Sequence, residues 1–400
     1  MNADHAVDTD RPIATDCRLF DCVQVNLAIL ADRWHGEGTH LNLGSVLRFR
    51  PTPGPTGLPT VERSVTEQLS DMAPLLGLAE IGQERTRTGE PPEPAPGRYI
   101  VSDAYHLPWV PYAGQRHMEH SFLLEPHPDG AVVVDGYHNE TPWGSARPLT
   151  RTLDRTELAS AVPEAATVVT FAPARPAPGT PTPVVDLADD AAVDAYVSAY
   201  AEHPDRVAAF DRLTLETWLL ARSRRLHAAF LCGPGGPGDD PARDAHVAAW
   251  EALAESVYVG YRRVARGRAE PAETFVRLAA QLRRDREVFG SAAAHHVTDG
   301  ESAAVVVPAA LRRRVADTVA AALAVDAADV LGARSLAELP GFTSFRVVDI
   351  IERLERDLSV ECAADDLVPE NLHHLDGIGR VLVRATHTAP HPAPARTGGN

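Results

Sequence analysis

Three patterns of apolar and polar positions succeed one another along the chain. Up to about residue 170, short β-type runs such as RYIVSDAYH, SFLLEP and AVVVDGYH alternate with turn signals, and the strongest helical pattern is CVQVNLAILADRW. This mixture predicts an α+β domain over 12–170. From about 186 to 290 the pattern is helical throughout: AAVDAYVSAYAEH, DRLTLETWLLARSRRLHAAFL, DAHVAAWEALAESVYVGYRRVARG and ETFVRLAAQLRRDREVF, interrupted by GPGGPGDDP, predict a helical region over 185–292. A third pattern begins with Leu311, Val315, Val319 and Leu323 and resumes with RVVDIIERLERDL, which predicts a helical module over 309–385. Proline has no amide to donate, so PTPGPTGLP, GEPPEPAPG and APARPAPGTPTP cannot extend a helix or an inner strand. The last of these predicts a linker at 171–184, and a second linker is expected at 293–308. The tail, 386–400, is too polar and proline-rich to order itself. The expected fold class is α+β and multidomain.

Composition narrows the functional classes. A net charge of −17 excludes nucleic acid and anionic membrane surfaces as expected partners, because counterion release rewards a positive face. No apolar run reaches the ~18–20 residues of a membrane span and the N-terminus has no signal-peptide pattern, so a cytoplasmic protein is expected. The four cysteines, Cys17, Cys22, Cys232 and Cys362, lack metal-type spacing, and neither a disulfide framework nor a metal site is expected from them.

Two positions carry candidate chemistry. In GFTSF, Ser344 stands where a loop meets a helix; helix-end amides there favour an attached phosphate, although serine is also a common N-cap. Behind it Val348, Ile351 and Leu354 predict a buried face, and Asp349, Glu352 and Glu355 a solvated one. In DCRLFDCVQVNLAILADRW, Cys22 opens an apolar helix, whose positive end is expected to lower the thiol pKa. His120 begins a strand that turns at HPDG, and the return strand ends on Asp135, fifteen residues later. A hairpin brings these ends together, so that the carboxylate orients the imidazole and leaves its other nitrogen for the thiol. Cys17, His117 and Asp103 are the respective rivals, with His106 and His138 as lining residues; the oxyanion donors would include the Cys22 amide, and Asp16 is too anionic to serve. Arg222, Arg224, Arg225, Arg262, Arg263, Arg266 and Arg268 form either a solvated face or a patch for the acidic helix after Ser344. Trp218, Trp250, Tyr258 and Tyr261 are spaced as bundle core.

The stretch from about Leu311 to Val383 resembles an acyl or peptidyl carrier protein. A helix, the loop SLAELPGF, a serine opening the second helix and the closing ECAADDLVPENLHHLDGIGRVL follow in the same order, with Thr343-Ser344-Phe345 replacing the usual Asp-Ser-Leu. The resemblance implies a four-helix bundle carrying 4'-phosphopantetheine on Ser344, installed by a phosphopantetheinyl transferase and charged by an acyl- or aminoacyl-loading ligase. Residues 15 to 160 resemble the papain-like fold and, more narrowly, the cysteine acyltransferases of butirosin biosynthesis, through the Cys22 helix, LNLGSVLRFRP, SDAYHLPWVPY and HSFLLEP…VVVDGYHN. That resemblance implies Cys22 as nucleophile, His120 as base and Asp135 as orienting carboxylate. The implied activity, set in specialised metabolism such as antibiotic biosynthesis, moves an acyl or aminoacyl group from a carrier thioester through the cysteine to a small-molecule amine. A thioesterase or peptidase with the same triad, or a carrier-binding scaffold without catalysis, are the alternative readings.

Overall fold

A computed structural model describes residues 13–54, 56–233, 238–290 and 307–388. Most of the linker expected at 293–308 and of the tail expected at 386–400 lies outside the described residues. Up to residue 201 the elements are α1 (Gln24–His35), β1 (Val46–Phe49), β2 (Thr52–Pro53), β3 (Pro59–Thr60), α2 (Val65–Leu75), β4 (Leu78–Arg85), β5 (Arg98–Asp103), β6 (Glu119–His127), β7 (Gly130–Asp135), β8 (Asn139–Thr141), β9 (Gly144–Ala146), β10 (Leu149–Leu153), α3 (Arg155–Ala161), β11 (Thr167–Pro173), β12 (Val184–Leu187) and α4 (Asp190–Ala201). Helices follow: α5 (Arg206–Cys232), α6 (Pro241–Val264), α7 (Thr274–Gly290), α8 (Ala309–Leu323), α9 (Ala327–Gly332), α10 (Ser344–Leu358), α11 (Pro369–Leu372) and α12 (Leu375–Thr388). None of the described helices is long and apolar enough to cross a membrane.

The chain divides into two compact units. The first takes its described residues from 13–196, 218–250 and 283–290, and is built on a six-stranded antiparallel sheet in the order β10-β7-β6-β5-β11-β4. Strand side chains alternate between faces with period two. On one face Tyr99, Val101, Leu123, Val132, Val134, Val169 and Phe171 pack with the apolar positions of α1; on the other Ile100, Phe122, Leu124, Ala131, Val133 and Val168 pack with Leu107, Leu153 and Leu158. Because both faces are covered, the central strands read as continuous apolar runs. α1 is buried from Val25 to Asp32 and is apolar nearly all round, as a helix enclosed in a core must be.

The proline-rich stretch at 171–184 does not separate two domains. Its first residues end β11, which lies between β5 and β4, and Ala174 then donates its amide to Gly77 O at 2.7 Å. Asn42 Nδ2 donates to Gly179 O at 3.3 Å, and β12 pairs in parallel with β1. Prolines forfeit donors, but their neighbours' carbonyls still accept, which suffices to lay the segment along the first unit. The helical region expected at 185–292 is likewise divided between the two units, since α4 to α7 contribute residues to both.

The second unit takes its described residues from 197–217, 251–282 and 307–388. Its core joins Val315, Val319 and Leu323 of α8, Val347, Val348, Ile351 and Leu354 of α10, and Ile378, Val381 and Leu382 of α12, with Val259 of α6 and the single-turn helices filling in. The expected buried face of α10 is present. Its expected solvated face is present at Asp349, which is 57% exposed, but not at Glu352 (13%) or Glu355 (3%), because arginines of α6 and the loop after it lie against them.

Candidate active site

The turn leading into α1 is shaped by Asp21. Its Oδ1 accepts the amides of Val23 (2.9 Å) and Gln24 (2.8 Å), while Gln24 Oε1 accepts the Asp21 amide at 3.3 Å, a reciprocal capping arrangement. Val25 N bonds Asp21 O at 3.2 Å, so the first helical turn already contains Cys22. Asp21 thus consumes two of the amides left over at a helix start, and the Cys22 amide has no acceptor among the described residues.

Strand β6 grips Cys22 on both sides of His120. Cys22 Sγ donates to Glu119 O at 3.7 Å, and the Cys22 carbonyl accepts a short hydrogen bond from Ser121 Oγ. One turn along α1, Asn26 donates Nδ2 to Ser121 O (2.9 Å) and Ser121 Oγ (3.0 Å) and accepts the Gly136 amide on Oδ1 at 2.9 Å. A single buried asparagine therefore ties the thiol's helix to β6 and to the residue after Asp135. The contact is close: a Cβ built on Gly136 would stand 2.5 Å from Ile29 and 2.7 Å from Val25, both on α1.

His120 is fully buried, and its Nε2 lies 2.7 Å from Asp135 Oδ2. A carboxylate oxygen accepts only, so Nε2 carries the proton and Nδ1 the lone pair. Nδ1 is buried with no hydrogen-bond partner among the described residues. Asp135 is saturated. Oδ2 also accepts Trp109 Nε1 at 2.9 Å, and Oδ1 accepts the Tyr137 amide at 2.9 Å. Tyr137 packs edge-on against the imidazole with ring centroids 5.2 Å apart. The arrangement fixes the ring's tautomer and direction and leaves one basic nitrogen.

The rivals sit elsewhere in the same unit. His117 Nδ1 pairs with Asp103 Oδ2 at 2.6 Å, with the imidazole 68% exposed, so the alternative base and the alternative carboxylate partner each other at the surface. Cys17 is buried, donates to Thr15 O at 3.3 Å, and burial pushes its pKa up to about 12. Asp16 pairs with Arg18, whose guanidinium holds its carboxyl below the usual range.

The Cys22 thiol departs from the expected acidity. Burial pushes its pKa well above the ordinary thiol value, and the carboxylates of Asp21 and Asp135 add to the rise; Arg222 opposes them weakly. Desolvation of a thiolate outweighs both the thiol's own backbone amide and the positive end of the helix, whose Val23 and Gln24 amides are spent on Asp21. Cys22 therefore rests as a neutral thiol and needs a base at the moment of reaction. At neutral pH its alkylation by iodoacetamide should be slower than that of exposed Cys232 and should speed up as the pH rises, as followed by peptide mass spectrometry.

Three contributors were not assigned these roles from sequence. Trp109 lies in the aromatic run SDAYHLPWVPY, Asn26 interrupts an otherwise apolar helix, and the capping pattern is spelled by Asp21-x-x-Gln24; each left a trace that chain order alone does not interpret. Arg222 is the strongest departure. Instead of contributing to a basic patch it is half-buried, stacks 4.3 Å from the Trp218 ring, and donates to the carbonyls of Arg18 (3.2 Å), Phe20 and His138 (2.6 Å), joining the Cys22 loop to the loop after Asp135. Burial lowers its pKa. Arg224 is also withdrawn, paired with Asp285 where both are fully buried.

Arg262, Arg263, Arg266 and Arg268 do meet the helix opened by Ser344. Within the second unit, Arg262 reaches Asp349 (3.2 Å) and Glu352 (3.0 Å), Arg266 pairs with Glu352, Arg268 with Glu355, and Tyr258 packs edge-on against Phe345 at 4.4 Å. Ser344 is the first residue of α10, and capping falls to Thr343, whose side chain accepts the Arg346 amide at 3.1 Å. The helix thus has its cap without the serine.

Fold and site together define a mixed α/β protein in which a cysteine at a helix start bonds the strand residues on either side of a histidine that pairs with an aspartate. No protein-family model matches the chain, and the search of curated proteins returned no match.

Proposed function

We propose that the chain is a papain-like cysteine acyltransferase, of the kind found in butirosin biosynthesis, with a carrier domain over 309–385. The observation that carries this reading is the His120–Asp135 hydrogen bond of 2.7 Å, with the other imidazole nitrogen left unpaired on the strand that grips Cys22. In the reaction His120 Nδ1 takes the Cys22 proton as sulfur attacks the carbonyl carbon of an acyl thioester; the C–S bond to the donor breaks, the departing thiolate takes a proton, and the acyl group rests on Sγ. An amine then attacks that carbon and restores the thiol. Asp135 holds the imidazole in position and balances its charge while the proton is on it. The free Cys22 amide is placed to donate to the developing oxyanion. A neutral resting thiol suits general-base activation at the moment of attack rather than a standing thiolate.

Ser344 fits a phosphopantetheine attachment point, since it opens a 15-residue helix whose capping role belongs to Thr343. The arm supplies an acyl thioester when bound. The partners implied are a phosphopantetheinyl transferase, an acyl- or aminoacyl-loading ligase and a small-molecule amine.

Intact-protein mass spectrometry after treatment with a phosphopantetheinyl transferase, coenzyme A and an acyl donor tests the proposal. Arm mass on Ser344, acyl mass on Cys22 and discharge only on adding an amine are expected. Discharge by water alone would make the protein a thioesterase, and acyl mass confined to Ser344 would make it a carrier-bearing scaffold. Uptake of the arm by Ser344→Ala would remove the assignment of that serine.

A further inference from the structure

We propose that Asp103, His106 and Glu164 form a binding site for one divalent transition-metal ion of the zinc class, at the strand end beside His120. Their ligand atoms all lie within 4.8 Å of one another. His106 Nε2 is buried with no hydrogen-bond partner among the described residues, and Glu164 Oε1 stands 3.6 Å from it. That separation is too long for a hydrogen bond, yet it matches the edge of a tetrahedron whose bonds are about 2.0–2.2 Å, roughly 3.4 Å. The buried nitrogen and the carboxylate are spaced as two ligands of one ion.

The surroundings supply what a metal site needs. Asp103 is held by the amides of Tyr105 (3.0 Å) and Met118 (3.1 Å) and by His117 Nδ1 (2.6 Å), a hydrogen-bonded support of the kind that orients a ligating carboxylate. The His106 ring is fixed edge-on to Tyr105 with centroids 5.2 Å apart. Glu164 is 64% exposed and long enough to close the remaining distance. One imidazole with two carboxylates suits zinc, cobalt or nickel, whereas magnesium and calcium take all-oxygen sets.

The ion would brace the base. Asp103 faces Glu119 across the β5–β6 ladder, next to the pair of Ser102 with His120, so it would fasten that strand end to the loop before β11 without entering the thiol site.

The test uses the full chain carrying Cys22→Ser, stripped with a chelator and titrated with Co2+ and then Zn2+. One equivalent should bind, with visible d–d bands and no thiolate charge-transfer band. His106→Gln and Glu164→Gln should each weaken binding at least about tenfold, and His117→Ala about tenfold through the supporting shell. Zinc should raise the melting temperature of the parent but not of Glu164→Gln, a surface change that leaves the fold intact. A charge-transfer band would place the ion on a cysteine, and equal binding by parent and both ligand variants would place it elsewhere; either result overturns the assignment.

Discussion

Asp135→Asn should slow acyl transfer about 10²- to 10⁴-fold, the range set by loss of positioned general-base catalysis. The reason is donor and acceptor arithmetic. The carboxylate accepts from His120 Nε2, from Trp109 Nε1 and from the Tyr137 amide, three donors on two acceptor-only oxygens. An amide has one oxygen, and its NH2 would confront at least one N–H. Whichever way it turns, the imidazole loses its partner or the β7 end loses its anchor, so the ring can take the other tautomer, with the proton on Nδ1 where the lone pair is required. Trp109→Phe removes one of the three donors and should cost only about fivefold, in keeping with roughly 1 kcal/mol for one hydrogen bond. Rates of amide formation from an acyl-carrier donor, measured alongside urea unfolding of each variant, separate lost catalysis from lost fold. A parent-like rate in Asp135→Asn would remove the aspartate from the mechanism.

Asp285→Ala should destabilise the first unit by about 3–5 kcal/mol, the cost of leaving a buried charge unpaired. Asp285 Oδ2 accepts Arg224 Nε at 3.0 Å, and Oδ1 accepts His246 Nε2 (2.8 Å) and Trp250 Nε1 (2.9 Å). Arg224, His246 and Trp250 are fully buried, so without the carboxylate the guanidinium has no counter-charge and no water. The same group sets an acid limit. Burial raises the Asp285 pKa, but Arg224 and the His246 hydrogen bond more than offset it and hold the folded-state pKa below the ordinary carboxylate value. A lowered folded pKa contributes stability that is present above the unfolded pKa and is lost as the pH falls through the folded one. The gap in urea midpoint between the parent and Asp285→Ala should therefore narrow as the pH falls through the carboxylate range and below it, since the other carboxylates titrate in both proteins.

Much of this molecule was legible along the chain. The strands around RYIVSD, SFLLEP and AVVVD, the helix behind Cys22, the four helices of the middle region and the helix opened by Ser344 follow from apolar periodicity and turn residues, which are local properties. The nearness of His120 to Asp135 was also readable, because the turn at HPDG brings the far ends of its two arms together, though both residues lie beyond the last registered pair, Leu123–Val134. Chain order was silent on whatever depends on packing between distant segments. The proline-rich stretch at 171–184 looks like a linker because its missing donors are visible, whereas the partners of its Ala174 amide and Gly179 carbonyl, Gly77 O and Asn42 Nδ2, lie over 90 positions away. Arg222 and Glu355 look solvated because charge is a property of the residue, while burial is a property of its neighbours. The acidity of Cys22 inverted for the same reason. A helix start is read from the apolar run behind Cys22, but the desolvation that keeps the thiol neutral arises only when strand β6 closes over it. What the sequence by itself determined were the elements, the hairpin and the residue types available for chemistry; the tertiary structure alone decided which charges are buried, which partners satisfy them and what proton the sulfur keeps, since desolvation and counter-charge are sums over neighbours that no local window contains.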